Sequence, residues 1–233
     1  FKIHGTLTIT SPNGTEKWNV GTSKLITWDR VGSIPNVKLE YSADNGTIFI
    51  PIIGSTGNTG AYSWTIPDAI SAQALVRVTD VSDNTVTDTS NATFKIMATF
   101  NVTSPNGGEV WIVASSQNIA WTWNGSVNFA KIDYSTDGGS TYNLIVNSTA
   151  NNGLYPWTVP DAVSGAVKIR VSDTNDADAY DESNANLRIR IQFALTSPNG
   201  GQKWSVGRNY NITWTNIGTI PNAKLEYSRD GFS

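Results

Sequence analysis

The densest set of chemically capable side chains is an acidic stretch, Asp173-Thr-Asn-Asp176-Ala-Asp178-Ala-Tyr-Asp181-Glu182. Asp173, Asp176, Asp178 and Asp181 offer closely spaced carboxylates in a loop, which suits a hard cation such as Ca²⁺ and its roughly six to eight oxygen ligands. The spacing is not that of an EF-hand, and the turn glycine of that motif is missing. A solvated loop is the alternative reading. The equivalent earlier stretch holds only Asp80, Asp83 and Asp88, and the recurring pair Asp80/Asp173 also reads as local turn caps. Among the aromatics, Trp123 has no counterpart in the other copies, where Arg30 and Asn216 stand. It is the candidate for an exposed ring that contacts a ligand such as a glycan. Asn-x-Ser/Thr occurs at Asn13, Asn45, Asn91, Asn101, Asn124, Asn147 and Asn211, close to what composition alone produces. The turn positions Asn45, Asn124 and Asn147 are the accessible candidates for glycosylation.

Other chemistry has little to work with. Cysteine is absent, which removes disulfides, thiolate metal sites and a cysteine nucleophile together. The one histidine, His4, would have to serve any Ser-His-Asp triad, zinc site or histidine base. The glycine-rich turns carry no phosphate-loop lysine. An internal Lys-Asn isopeptide bond needs a buried lysine, whereas Lys38, Lys131 and Lys224 fall at outward positions of their strands. The formal net charge of −3 supplies no basic field for nucleic acid. No apolar run approaches the ~18 residues of a membrane-spanning helix.

The elements that carry these residues repeat. Ser-Pro-Asn-Gly starts at Ser11, Ser104 and Ser197, at intervals of 93 residues. The same interval links Trp18, Trp111 and Trp204; Trp28, Trp121 and Trp214; and Tyr41, Tyr134 and Tyr227. It also links Trp64 with Trp157, Pro67-Asp68 with Pro160-Asp161, and Ser90-Asn91 with Ser183-Asn184. No insertion or deletion is needed. The period exceeds the roughly 20–50 residues of a solenoid unit and fits one small domain, repeated.

Within each copy, Val37-Lys38-Leu39-Glu40-Tyr41 alternates apolar and charged residues, as a strand with one wet face does. Ala74–Val78 and their counterparts follow the same rule, and turn clusters such as Asp44-Asn45-Gly46 separate them. Seven or eight short strands per copy predict an all-β fold, a tandem of immunoglobulin-like or fibronectin-III-like antiparallel sandwiches. A closed eight-stranded barrel is the alternative. The expected organisation is the last strand of a preceding module at 1–5, sandwiches at 6–98 and 99–191, and the first half of a third at 192–233. Alternation turns Ile26 and Trp28 inward against Leu39, Tyr41, Val76, Val78, Phe94 and Ile96. With only Ala98-Thr99 between modules, the array is expected to be stiff.

The run Ser104-Pro-Asn-Gly-Gly-Glu-Val-Trp111, Ile119-Ala-Trp121, Lys131-Ile-Asp-Tyr-Ser135 with Asp137-Gly-Gly139, Tyr155-Pro-Trp-Thr-Val-Pro160 and Val167-Lys-Ile-Arg-Val171 resembles a known extracellular module. It is similar to the domain of serine/threonine-rich GPI-anchored yeast cell-wall proteins of the β-glucan assembly family, with related copies in prokaryotic surface proteins. The resemblance implies a β-sandwich at the cell surface that acts as spacer or attachment module; its matching residues are core aromatics and turns, so it carries over no catalytic residue. The expected function is therefore a non-catalytic structural array, extracellular or at the cell surface, partnered by neighbouring copies, other surface proteins or glycans. The alternative is a set of carbohydrate-binding accessory modules of a secreted polysaccharide-acting enzyme.

Overall fold

The computed structural model describes residues 3–230. Phe1 and Lys2, two of the five residues of the strand expected at the start, lie outside them, as do residues 231–233; residues 3–5 are not in a strand.

The first copy has nine strands: β1 (Thr6–Ser11), β2 (Lys17–Asn19), β3 (Ser23–Val31), β4 (Asn36–Ser42), β5 (Ile50–Gly57), β6 (Ala61–Thr65), β7 (Ser71–Asp80), β8 (Thr87–Thr89) and β9 (Phe94–Met97). The second repeats them as β10 (Thr99–Ser104), β11 (Val110–Ile112), β12 (Ser116–Asn124), β13 (Phe129–Ser135), β14 (Asn143–Ala150), β15 (Leu154–Thr158), β16 (Ser164–Asp173), β17 (Tyr180–Glu182) and β18 (Leu187–Arg190). β19 (Gln192–Ser197) and β20 (Thr213–Ile217) begin a third. Two tandem immunoglobulin-like sandwiches result, each facing a three-stranded sheet (β1-β3-β6, β10-β12-β15) against a six-stranded one (β2-β9-β7-β4-β5 with β8, and its copy). No barrel closes.

Alternation builds the cores. Val37, Leu39 and Tyr41 of β4 are buried while Lys38 and Glu40 stand at the sheet surface. Trp18 packs on Phe94 at 5.0 Å and edge-on to Trp64 at 6.1 Å; Trp111 and Trp157 repeat the second contact at 5.9 Å. Nine strands exceed the expected seven or eight; β2 and β8 have three residues each, too few to show a period. β2 runs parallel to β9, through Lys17↔Lys95, Trp18↔Ile96 and Asn19↔Met97.

Buried polar groups are paired in register too. The Trp28 indole N–H donates to Asn58 Oδ1 at 2.7 Å, and Asn58 Nδ2 donates to the Ile34 carbonyl at 2.9 Å. Trp121, Asn151 and Val127 repeat both bonds at the same lengths. In the first two Ser-Pro-Asn-Gly turns, the backbone N–H groups of Asn and Gly point at one carboxylate, Glu16 or Glu109. Burial works against ionisation of Glu109, but those donors outweigh it and hold its carboxyl below the ordinary range.

Trp214 keeps the register of Trp28 and Trp121, yet it is 39% exposed against 3% for Trp28. Residues 192–230 form only the β19–β20 pair, so no second sheet covers it.

Candidate functional site

The residues that the repeat makes most distinctive converge where one sandwich meets the next. β9 ends at Met97 and β10 begins at Thr99, so Ala98 alone separates them, one residue fewer than the sequence suggested. Both Met97 and Ala98 are buried and belong to the second core. Ile70 packs against both cores at once. Beside it, Gly125 has φ +107°, and an added Cβ would lie 3.2 Å from Ala98 Cβ and from Ile70 Cδ1. Only glycine combines that backbone angle with so close an approach.

Two groups of polar contacts flank this seam. On one side both oxygens of Asp68 accept from Ser126, one from its backbone N–H at 2.9 Å and one from its hydroxyl. Asn124 Nδ2 donates to the Val20 carbonyl at 2.9 Å. On the other side the loop after β16 reaches back to the first module. Lys95 Nζ binds Asp176 at 2.9 Å and Asp178 at 2.6 Å, and Lys17 Nζ binds Asp178 at 2.7 Å. Lys17 and Lys95 are opposite each other in the β2–β9 pair, where like charges repel. Asp176 and Asp178, from the neighbouring module, together balance the two charges.

The seam recurs. Thr219, 93 residues after Ser126, donates its backbone N–H to Asp161 at 2.8 Å, and Gly218 at φ +95° faces Ile191 and Val113. Ahead of the first sandwich, an added Cβ on Gly32 would lie 3.0 Å from Gly5 Cα, and His4 Nδ1 lies 2.8 Å from Asp83. Asp68 and Asp161, the aspartates of the recurring Pro-Asp pairs, are junction clamps.

The acidic stretch proposed for Ca²⁺ is divided among three tasks. Asp173 is buried and accepts from the Asn175 N–H at 2.9 Å. Asp176 and Asp178 hold the junction lysines. Asp181 accepts from the Val102 N–H at 2.7 Å, tying β17 to β10 across the sandwich as Asp88 ties β8 to Ile9. Among the described residues no group of three or more His, Asp or Glu side chains is placed to hold a metal ion. Trp123 is 39% exposed, one step beyond buried Trp121 at the junction end of β12. Asn45 and Asn147 are exposed and make no side-chain hydrogen bond among the described residues, whereas the amide of Asn124 is spent on the junction. Lys38 and Lys131 pair with Glu40 and Asp133 on the sheet surface.

Lys17 first, then Lys95, holds Asp178 down to about 2 from an ordinary 3.8. Lys95 is raised above its ordinary 10.5 by Asp178 and Asp176. The carboxylate contribution is therefore present above the ordinary Asp value and lost as pH falls toward about 2. The lysine contribution is present below 10.5 and lost as pH rises through its higher folded value. Solution scattering is expected to give one module-to-module geometry from about pH 4 to 10, with loosening only at the acid and far alkaline ends. An unchanged geometry at pH 2 would show that Asp178 does not hold the seam.

No family model matches the chain, and no curated protein matches it. Solved structures similar to it include the fibronectin(III)-like modules of Clostridium thermocellum CbhA, at 21% identity over 79% of this chain and 94% of that one, TM-score 0.28. A chimeric titin Z1Z2 tandem shares 15% identity over 79% of this chain and 99% of that one, TM-score 0.28. The N-terminal four Ig domains of Dscam1 isoform 4.44 share 9% over 81% of this chain and 47% of that one, TM-score 0.36.

Proposed function

We propose that the chain is a non-catalytic stiff spacer in an extracellular cell-surface or fibre-forming protein, with neighbouring copies or other surface proteins as partners. The observation that carries this reading is the seam: a one-residue linker, a shared apolar contact and the Asp68–Ser126 clamp with its Asp161–Thr219 copy. Rigid repetition fixes the distance and orientation between ends, which is what a spacer must do. The most conspicuous recurring residues, the paired aromatics and the Asp clamps, build cores and seams rather than one asymmetric reaction centre.

X-ray scattering in solution tests it. The native chain is expected to give a rod-like distance distribution with one dominant orientation between modules. The double variant Asp68→Ala/Lys95→Glu removes one clamp and reverses the charge of the other, and it is expected to broaden that distribution while each sandwich still melts cooperatively. Freely jointed modules in the native chain would defeat the spacer reading.

The half-exposed Trp123 supports a second reading, a carbohydrate-binding accessory role. Glycan-array binding that disappears on Trp123→Ala would favour it over the spacer.

A further inference from the structure

The outer face of the second module's large sheet differs from that of the first in a way the spacer role does not use. β16 and β17 pair Ser172 with Tyr180; the same positions on β7 and β8 are Thr79 and Thr87. In the first module the two threonine hydroxyls hydrogen-bond each other at 2.8 Å. In the second, Ser172 is buried to 7% exposure and its hydroxyl makes no hydrogen bond among the described residues. It faces a groove of about 300 Å³ that Arg170, Asp173, Asn175 and Tyr180 also line. That volume is at the small end of ordinary ligand sites, roughly 300–1,000 Å³.

The charges around the groove cancel. Lys131 and Arg170 both bind Asp133 at 3.1 Å, and Asp173 supplies the second carboxylate. No net field selects an ion. The Arg170 guanidinium carbon lies 3.8 Å from the centre of the Tyr142 ring and 5.9 Å from that of Tyr180. The groove is thus lined by a half-exposed aromatic ring, a free hydroxyl, an amide, a carboxylate and a planar guanidinium. A neutral pyranose is the complement of such a set. Its C–H face packs on an aromatic ring, and its rim of hydroxyls needs donors and acceptors side by side.

The geometry points to a binding site for a neutral sugar unit in this groove, formed only in the second module. The groove is on the opposite sheet from Trp123, and it stands whether or not the array is stiff. Its loop is also the one whose Asp176 and Asp178 bind Lys95 of the first module.

Nitrogen-15 NMR of the full chain tests it, titrated separately with cellotriose, maltotriose, chitotriose and mannotriose up to tens of millimolar. At least one trisaccharide is expected to give saturable shifts at Lys131 and across 170–180. Lys38 and 77–87, the same surface of the first module, should not move. Tyr180→Ala should weaken binding about tenfold or more by removing the stacking face, while Tyr180→Phe should retain it with both variants melting as the native chain does. Absence of shifts with all four sugars overturns the proposal. So do equal shifts on both modules, or native affinity in Tyr180→Ala.

Discussion

Asn58→Leu is expected to lower the melting temperature of the first sandwich by roughly 12–24 °C, the drop that about 3 kcal/mol causes in a domain of this size. Asn58 is 4% exposed and joins the Trp28 indole to the Ile34 carbonyl. Leucine fills the same space, so no water replaces the amide. A buried donor and a buried acceptor are left unpaired, each costing about 1–3 kcal/mol. Asn151→Leu should act equally on the second sandwich through Trp121 and Val127. Each variant should split the melt into two transitions, with a different module unfolding first. Adding Trp28→Phe to Asn58→Leu removes the stranded indole donor, so the pair should cost less than the sum of the single changes. Strict additivity would show that the indole bond contributes nothing.

Gly125→Val should disrupt the junction more than any other single substitution at the seam. A side chain in the left-handed region costs about 1–2 kcal/mol, and crowding against packed neighbours adds roughly 1–3 kcal/mol. The crowded atoms are Ala98 Cβ, Ala98 Cα and Ile70 Cδ1, which are the seam itself. Relief comes from separating the modules, so scattering should show a bent or broadened population along with a lower melting temperature for the second sandwich. Gly138→Ala is the control, because its φ is +76° and nothing lies within 4 Å of an added Cβ. It should carry backbone strain without altering shape. Identical scattering from the two variants would remove the seam from the account.

The sheets were legible because their inward residues alternate, as Val37, Leu39 and Tyr41 do, and because the period of 93 residues let one copy check another. The inward placement of Trp28 and Trp121 followed from parity alone. β2 and β8 were not legible, since three residues show no period. The junction was half legible. Its short linker could be read, but its clamps join residues far apart: Asp68 to Ser126 and Lys95 to Asp178. Asp178 looked like a metal ligand because a carboxylate beside other carboxylates carries no sign of a lysine 83 residues earlier. Asp181 gave as little sign of its partner, a backbone N–H on β10. Asn58 and Asn151 recur at the same interval as the tryptophans they hold, but an asparagine outside a strand gives no sign of a buried indole as its partner.

The parallel pairing of β2 with β9 determines how the chain would carry tension. A pull on the two ends of a sandwich draws β2 and β9 in opposite directions along their length. Lys17↔Lys95, Trp18↔Ile96 and Asn19↔Met97 then bear the load in shear, together, rather than unzipping in turn. The same arrangement sends the backbone out at the end opposite to where it came in, so force passes straight from one bead to the next, like load through a stacked column.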